Sequence, residues 1–459
     1  MRLSFVFAAA LMALVLGAST IDLDQLDNYA NQTVPAYIQK DNLPANQQMS
    51  DAVATLGRVL FYDKELSANG TISCASCHKQ AFAFSDTAKQ SLGLDGGLTG
   101  RHSMRLINAR FATEVKFFWD ERANSLAEQT TQPIQDHVEM GFSGTNGQPD
   151  LDSLIRRLSE LPRYKQLFTF VYGDTIVTEA RIQEALSQFV RSIQSFDSRF
   201  DQGLAQANGN INQNFGNFTA QENQGKQLFL TPPTVGGAGC QGCHLAPEFN
   251  IDSASANNGI IATADGTGID LTNTRAPSLR DIVNPQGVLN GPLMHNGNIT
   301  NLQQLINHYN AVPQNANNTN LDARLAGAGG QLNLTQAQKD ALAAFLATLS
   351  GSNVYTDPKW SDPFDGGLSI IQSTAVTQLE NALELQPYPN PSRDLVQLDL
   401  PEGACQVTIY NMAGQVIQRQ ETESAQIQLH IADLPAGHYL LEVRQWLKAR
   451  RGLCRIQKI

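Results

Sequence analysis

One five-residue pattern occurs twice in this chain, at residues 74–78 and 240–244, and both copies read C-x-x-C-H. Two cysteines at this spacing can form thioether bonds to the vinyl groups of one haem, and the adjacent histidine can bind its iron. A zinc site or a redox dithiol shares the C-x-x-C spacing, but neither requires a histidine directly after each second cysteine. The sequence therefore predicts two covalent c-type haems, held by Cys74, Cys77 and His78 and by Cys240, Cys243 and His244.

The start of the chain carries a candidate export signal. Residues 1–19 hold Arg2, an apolar run and a small-residue end, which is typical of a secretory signal peptide and too short for a spanning helix. We find no later stretch of transmembrane length and expect export across the inner membrane. Export agrees with the haem prediction, because bacteria attach haem covalently outside the cytoplasm. The net charge of −11 argues against nucleic acid as a partner.

The rest of the chain predicts a mainly α fold of two cytochrome c-like haem domains followed by a small C-terminal β-sandwich. The haem domains span 28–207 and 218–351, with an Asn/Gly-rich stretch between them. Apolar residues at helical spacing predict a helix over 178–196. Capping boxes at Thr219 with Glu222 and at Thr335 with Gln338 predict two helix starts.

A change of pattern follows the second haem domain. Residues 352–385 are predicted to be a linker, and short alternating runs over 386–459 predict the β-sandwich. This segment holds no metal or nucleophile constellation, so we assign it no chemistry. Its cysteines, Cys405 and Cys454, are either a disulfide in an oxidising compartment or two unpaired buried thiols.

Several local motifs outside the haem sites resemble the bacterial diheme cytochrome c peroxidase family, including its MauG-like branch. They lie at residues 56–63, 118–123, 128–129, 138–141, 276–280 and 294–297. The C-terminal segment is similar to a type IX secretion sorting domain at residues 388–392, 409–414 and 437–441. That similarity implies the type IX machinery as a partner and a location at the cell surface or outside it, with the periplasm passed in transit.

The resemblance implies roles for residues around the first haem, which is the peroxidatic one in this family. Glu139 matches the distal acid that moves a proton between the peroxide oxygens, with Gln129 beside the pocket and Pro133 nearby. Trp119 matches an aromatic residue between the haems and is a candidate electron relay. A core tryptophan would look the same in the sequence.

The chain departs from the peroxidase pattern in the loop 91–97. Leu94 stands where many family members have a histidine that caps the peroxidatic iron until the other haem is reduced. Since leucine cannot bind iron, the first haem is expected to be open without reductive activation. His102 is an alternative cap, although it occupies the place of an Asn near the family's interdomain calcium. One calcium ion is therefore an open expectation.

A second departure concerns the haem through which electrons enter. Peroxidases place a methionine on its far face, whereas the matching position here is Tyr309, as in MauG-like enzymes. A methionine ligand raises the reduction potential, and an anionic phenolate favours higher iron oxidation states. His308 and Met294 are competing ligands. The remaining histidines, His137, His430 and His438, are expected to be structural or exposed.

Three functions follow from these features. The first is an exported cytochrome-c-peroxidase-type oxidoreductase that reduces hydrogen peroxide to water. Its electrons would come from a small cytochrome, a cupredoxin or another reductant. The second is a MauG-like oxidase that acts on a protein or organic substrate through high-valent iron, and Leu94 and Tyr309 favour it. The third is a surface electron-transfer protein without catalysis. Members of the family are often dimeric, so a homodimer is an assembly that the resemblance allows.

Overall fold

The structure is a computed structural model that describes residues 20–372, 383, 385–411, 415–445 and 450–459. The predicted signal peptide and the end of the stretch 409–414, which is similar to a sorting domain, lie outside the described residues. The chain divides into two compact units, with the boundary after Ile371. Within the described ranges, no helix is both long enough and apolar enough to cross a membrane.

The first unit is built mainly from helices joined by long loops. The helices are α1 (Asp51–Tyr62), α2 (Cys74–Cys77), α3 (Leu126–Gln135), α4 (Leu151–Glu160), α5 (Pro162–Tyr172), α6 (Glu179–Ser192), α7 (Arg199–Gln206), α8 (Ala220–Leu230), α9 (Leu302–Asn310) and α10 (Gln336–Ala347). Short strands are β1 (Thr20–Asp22), β2 (His244–Leu245), β3 (Asn250–Ile251) and β4 (Ser369–Ile371). The sequence prediction of a helix over 178–196 is confirmed as α6, which Thr178 caps. Both predicted capping boxes are present, at the starts of α8 and α10.

The unit contains two hydrophobic cores, and each core is organised by one close crossing of two helices. In the first core, α1 crosses α6 with Gly57 against Ala185; in the second, α8 crosses α10 with Gly225 against Ala341. A methyl group added at Gly57 or Gly225 would lie 2.0 or 1.9 Å from the facing carbonyl oxygen. The two halves thus share the same close helix crossing at a glycine, and a haem motif follows the first helix of each crossing.

Residues that follow the second core in the chain pack into the first core. The side chain of Trp360 is 2% exposed and belongs to the first core. The hydroxyl groups of Tyr29 and Tyr62 donate to the carbonyl oxygens of Lys359 and Trp360, each over 2.6 Å. Strand β4 then pairs in parallel with β1. The early part of the predicted linker 352–385 is therefore packed structure, because it supplies apolar side chains to the core.

The second unit is a small all-β region whose described strands form two antiparallel sheets. The strands are β5 (Leu395–Asp399), β6 (Cys405–Asn411), β7 (Val416–Thr422), β8 (Gln426–His430), β9 (Gly437–Gln445) and β10 (Arg450–Lys458). One sheet has the order β10-β9-β6-β7, and the other pairs β5 with β8. Apolar side chains from both sheets form one hydrophobic cluster. The alternating pattern read from the sequence therefore reflects one buried face per strand.

The two cysteines of this unit are not placed to form a disulfide. Cys405 pairs with Gln445 on one side of β9, and Cys454 pairs with Leu441 on its other side. Four residues along a strand correspond to about 13 Å, whereas a disulfide needs α-carbons closer than about 7 Å. Both cysteines are unpaired. The disulfide alternative is therefore wrong, because the register places the thiols at different levels of the sheet.

Candidate functional site

The first unit contains two cavities, and each is lined by one copy of the C-x-x-C-H pattern. The first cavity has a volume of about 480 Å³ and is lined by Cys74, Cys77 and His78. The second has a volume of about 530 Å³ and is lined by Cys240, Cys243 and His244. These volumes suit a cofactor-sized ligand. All six predicted attachment residues thus lie in the walls of two cavities, three in each.

The first motif presents its side chains from the short helix α2. The His78 ring nitrogen Nδ1 donates to the carbonyl oxygen of Phe84 over 3.2 Å, which leaves Nε2 free of a proton. Burial lowers the pKa of His78, so the imidazole is neutral, the form that binds metal. Burial also raises the pKa of the Cys74 thiol to about 12 and that of Cys77 to about 11.

The second motif shows the same chemistry with one difference. His244 begins β2, and burial lowers its pKa to about 4. Its Nδ1 atom is buried and has no hydrogen-bond partner among the described residues. Burial raises the pKa of the Cys240 thiol to about 12. Two thiols and one neutral imidazole with unmet bonding capacity are the donor set that a c-type haem uses, so the residues of both cavities fit that cofactor.

Glu139 reaches the first cavity together with two residues of helix α3. Glu139, Gln129 and Pro133 all line that cavity. The pKa of Glu139 is raised to about 7, mainly by burial and further by the Asp136 carboxylate, while Arg122 acts in the opposite direction. The structure thus brings the predicted acid to the same cavity as His78, with a pKa suited to proton exchange near neutral pH.

The loop that carries Leu94 packs against the segment that carries Glu139. Leu94 is 5% exposed and is absent from the walls of the first cavity. Its main-chain N–H donates to the carbonyl oxygens of Val138 and Glu139, over 2.7 and 3.1 Å. The leucine side chain lies against Gly141. The loop therefore supports the backbone of the acid and presents no ligand to the cavity.

His102 lines both cavities, but protein groups surround its ring. Nδ1 donates to the carbonyl oxygen of Ala88 over 3.0 Å, and Nε2 lies 3.5 Å from the Ser85 hydroxyl. Burial lowers its pKa to about 4. The ring is therefore held by the main chain through Nδ1 and is neutral.

No calcium site is proposed. The described part of the chain holds no group of three or more His, Cys, Asp or Glu side chains that could bind a metal ion. Near His102, Arg101 instead joins the two halves. Its guanidinium lies 2.7 Å from the Asp120 carboxylate and 2.8 Å from that of Asp270. A protein cation therefore compensates these two acids.

Trp119 lies between the two cavities and lines both of them. Its indole N–H donates to the carbonyl oxygen of His102 over 2.8 Å, and its ring meets His295 edge-on at 6.3 Å between centroids. Its own carbonyl oxygen accepts from the N–H groups of Thr274 and Arg275, over 2.9 and 3.1 Å. Residues from both halves thus fix this side chain where the cavities meet.

The three candidate ligands of the second haem differ in whether they line the second cavity. Tyr309 and Met294 line it, whereas His308 does not. The His308 Nε2 atom donates to the carbonyl oxygen of Asn258 over 2.8 Å, and the Asn258 amide donates to the Met294 sulfur over 3.2 Å. Burial raises the pKa of Tyr309. Adjacent residues on a helix point about 100° apart, so Tyr309 and His308 of α9 cannot both face the cavity.

The remaining histidines are not among the residues that line either cavity, and all three are exposed, as expected. His137 is exposed, with Nδ1 3.1 Å from the Ser143 hydroxyl, and His430 and His438 are exposed on strands of the second unit. Two arginines that the sequence analysis missed, Arg105 and Arg275, line both cavities. Nothing local marks Arg105 in the sequence. Arg275 directly precedes the motif at 276–280.

Comparison with known proteins agrees with this architecture. Residues 51–209 match the model of the di-haem cytochrome c peroxidase family, and residues 386–449 match the secretion system C-terminal sorting domain. The chain is 29% identical to a methylamine utilization protein MauG of Methylophilus methylotrophus, over 68% of this chain and 87% of that protein. It is 27% identical to a cytochrome c551 peroxidase of Nitrosomonas europaea, over 67% of this chain and 81% of that protein.

A solved structure extends the likeness to the fold. The crystal structure of a MauG-like protein associated with microbial copper homeostasis matches with a TM-score of 0.58 and 27% identity, over 73% of this chain and 99% of that one. The sorting domain indicates type IX secretion to the cell surface or the extracellular space. Residues 51–209 therefore match the di-haem cytochrome c peroxidase family, the chain is similar to MauG proteins and diheme peroxidases, and it carries a C-terminal secretion sorting domain.

Proposed function

We propose that this protein is an exported diheme c-type peroxidase that reduces hydrogen peroxide to water with electrons from an external donor. The observation that carries the proposal is the position of Glu139, which lines the same cavity as His78 and has a pKa raised to about 7. A carboxyl group with this pKa can both accept and return a proton near neutral pH. Relatives with peroxidase names support the assignment.

The residues of the first cavity supply binding and proton transfer. A haem held by Cys74, Cys77 and His78 would supply a redox-active iron to this cavity. The Glu139 carboxylate takes the proton from the near oxygen of hydrogen peroxide and returns it to the far oxygen, which departs as water. The Gln129 amide, in the same wall, can orient the peroxide by hydrogen bonding. Two electrons from the donor and two protons from solvent complete the conversion to two waters.

The first haem should be open to peroxide without prior reduction. Leu94 is packed outside the cavity, and the ring nitrogens of His102 face protein groups. Neither residue is therefore placed to bind the iron of a haem in this cavity. We propose that both haems share the oxidising equivalents through Trp119, because this side chain lines both cavities.

Electron paramagnetic resonance of the oxidised, as-isolated protein tests the open site. We expect one high-spin ferric signal from the first haem and one low-spin signal from the second, both lost when peroxide is added. Two low-spin signals unchanged by peroxide would mean that both irons are capped. That result would overturn the proposal and favour a reductively activated enzyme or an electron carrier.

A second candidate function is a MauG-like oxidation of a protein or organic substrate. The observation that favours it is Tyr309 in the wall of the second cavity, where a phenolate ligand would lower the reduction potential. Such a haem would accept electrons poorly from a high-potential donor. The similarity to MauG proteins is consistent with this function.

This second candidate function depends on which side chain binds the iron of the second haem. We expect Tyr309→Met to raise the reduction potential of the second haem, because a thioether favours the ferrous state more than a phenolate does. Spectroelectrochemical titration measures the change. His308→Gln is the matched control, since the neighbouring imidazole bonds to Asn258 and should leave the potential unchanged. A potential that responds to Met294→Leu but not to Tyr309→Met would identify Met294 as the ligand.

A further inference from the structure

We propose that Arg105 and Arg275 form a carboxylate-binding pair that holds the haem propionates of both cavities. The inference rests on the proposed haem content. It assigns the pair a ligand class, carboxylate, and a second role as positive charge in the walls of both cavities.

The first support is position. Arg105 is 8% exposed and Arg275 is 9% exposed, and both line both cavities. Each guanidinium donates to a main-chain carbonyl oxygen, Arg105 to that of Ser278 over 3.0 Å and Arg275 to that of Lys116 over 2.5 Å. The guanidinium of Arg275 also lies 4.5 Å from the centre of the Phe117 ring. Both side chains are thus held in the wall common to the cavities.

The second support is that neither guanidinium is paired directly with a carboxylate, although carboxylates lie close enough to act on both. Neither arginine forms an ion pair within the described ranges, and Nε of Arg105 is buried without a hydrogen-bond partner. The carboxylate that acts most on Arg105 is Asp281, but Asp281 accepts hydrogen bonds from Tyr355 over 3.1 Å and from the Gly351 N–H over 2.9 Å. For Arg275 the acting carboxylates are Glu114 and Glu121.

Two buried cations in the walls of both cavities favour an anionic ligand there. Burial lowers the pKa of Arg105 and of Arg275 to about 10, so both are still charged at neutral pH. A buried charge that is not paired directly is unfavourable. Each haem brings two propionate carboxylates, and a guanidinium binds a carboxylate through parallel N–H groups. The cofactor therefore brings carboxylates that these two guanidinium groups can bind.

The experiment measures haem reduction potentials in the full-length holoprotein by spectroelectrochemical titration. A nearby cation favours the ferrous state, so Arg105→Gln and Arg275→Gln should each lower the potential of at least one haem. We expect the ratio of reduced to oxidised haem at a fixed potential to fall about tenfold, which is 59 mV for a one-electron couple. Arg105→Lys keeps the charge and should retain most of the wild-type ratio.

Arg191 provides a matched control. It is 3% exposed, has two guanidinium nitrogens without partners in the described part of the chain, and lines neither cavity. Arg191→Gln removes the same charge from an equally buried place and should leave both potentials unchanged. If Arg105→Gln fails to accumulate, Arg275→Gln and Arg105→Lys carry the comparison.

One result would overturn the proposal: a shift in Arg105→Gln and Arg275→Gln no larger than that in Arg191→Gln. The readout is independent of peroxide turnover. A protein without turnover but with the expected shifts would refute the proposed peroxidase function and leave the carboxylate pair standing.

Discussion

Replacing Glu139 with glutamine is expected to lower peroxide turnover by about 10²- to 10⁴-fold, the usual contribution of a general acid–base group. The amide keeps the size of the side chain but cannot carry the proton between the peroxide oxygens. Steady-state turnover with hydrogen peroxide and an artificial electron donor measures the loss. Haem content and the optical spectrum of the oxidised protein should be unchanged, because Glu139 is not an attachment residue.

The neighbouring acid on α3 offers the control for this substitution. Glu128 precedes Gln129 in the chain but is not in the wall of either cavity. Glu128→Gln should therefore keep nearly full turnover. If Glu139→Gln retains more than about a tenth of the wild-type turnover, the acid–base role is wrong, since general acid–base catalysis is worth at least a hundredfold.

The raised pKa of Glu139 also sets a pH dependence for turnover. Only the carboxylate form can accept the first proton, so turnover should fall as the pH drops below about 7. Glu139→Gln should remove this inflection, and Asp136→Asn should move it to lower pH, since the Asp136 charge raises the pKa. The same pKa shift has the opposite pH dependence for the stability of the fold. It contributes to the free energy of unfolding below the ordinary pKa of a glutamate, and this contribution is lost as the pH rises through about 7.

Substituting alanine for Gly225 is expected to destabilise the second haem-binding half by about 2 kcal/mol or more, as over-packing of a core does. Alanine would normally stabilise a helix interior by about 1 kcal/mol relative to glycine. Here the added methyl group would lie 1.9 Å from the carbonyl oxygen of Ala341, so the helices α8 and α10 must separate. Gly57→Ala should act likewise on the first half, against Ala185.

Thermal and denaturant unfolding, followed by circular dichroism and by the haem absorption, measures this effect. Gly216→Ala is the control, because a methyl group there would meet nothing within 4 Å. It should leave stability unchanged or raise it by about 0.4–1 kcal/mol through the unfolded chain. A Gly225→Ala variant that is more stable than the wild type would mean that helix propensity outweighs the crossing.

Features that depend only on residues close together in the chain could be predicted from the sequence. The attachment residues form a local covalent requirement, so their spacing alone places Cys74, Cys77 and His78 together. The start of α6 follows from Thr178 and the apolar period behind it, and the structure has both. Capping boxes are equally local, because their two hydrogen bonds join residues three positions apart.

Features that depend on distant segments could not be predicted in this way. The choice between Tyr309 and His308 depends on which side of α9 faces the cavity, and Asn258, far away in the sequence, settles where His308 bonds. The burial of Trp360 requires a core assembled from much earlier residues. In the sequence, nothing distinguishes Arg105 from an arginine on the surface. Only its position in the walls of both cavities does so.

The pairing of β1 with β4 has a consequence for the order of events during export. Strand β1 lies at residues 20–22, and its partner lies at residues 369–371. When a chain folds from its N-terminus, β1 must wait for nearly the whole first unit to emerge before it can pair. Both C-x-x-C-H segments emerge earlier than β4. The haem-attachment machinery can therefore reach both segments before β1 pairs with β4 and completes the first unit.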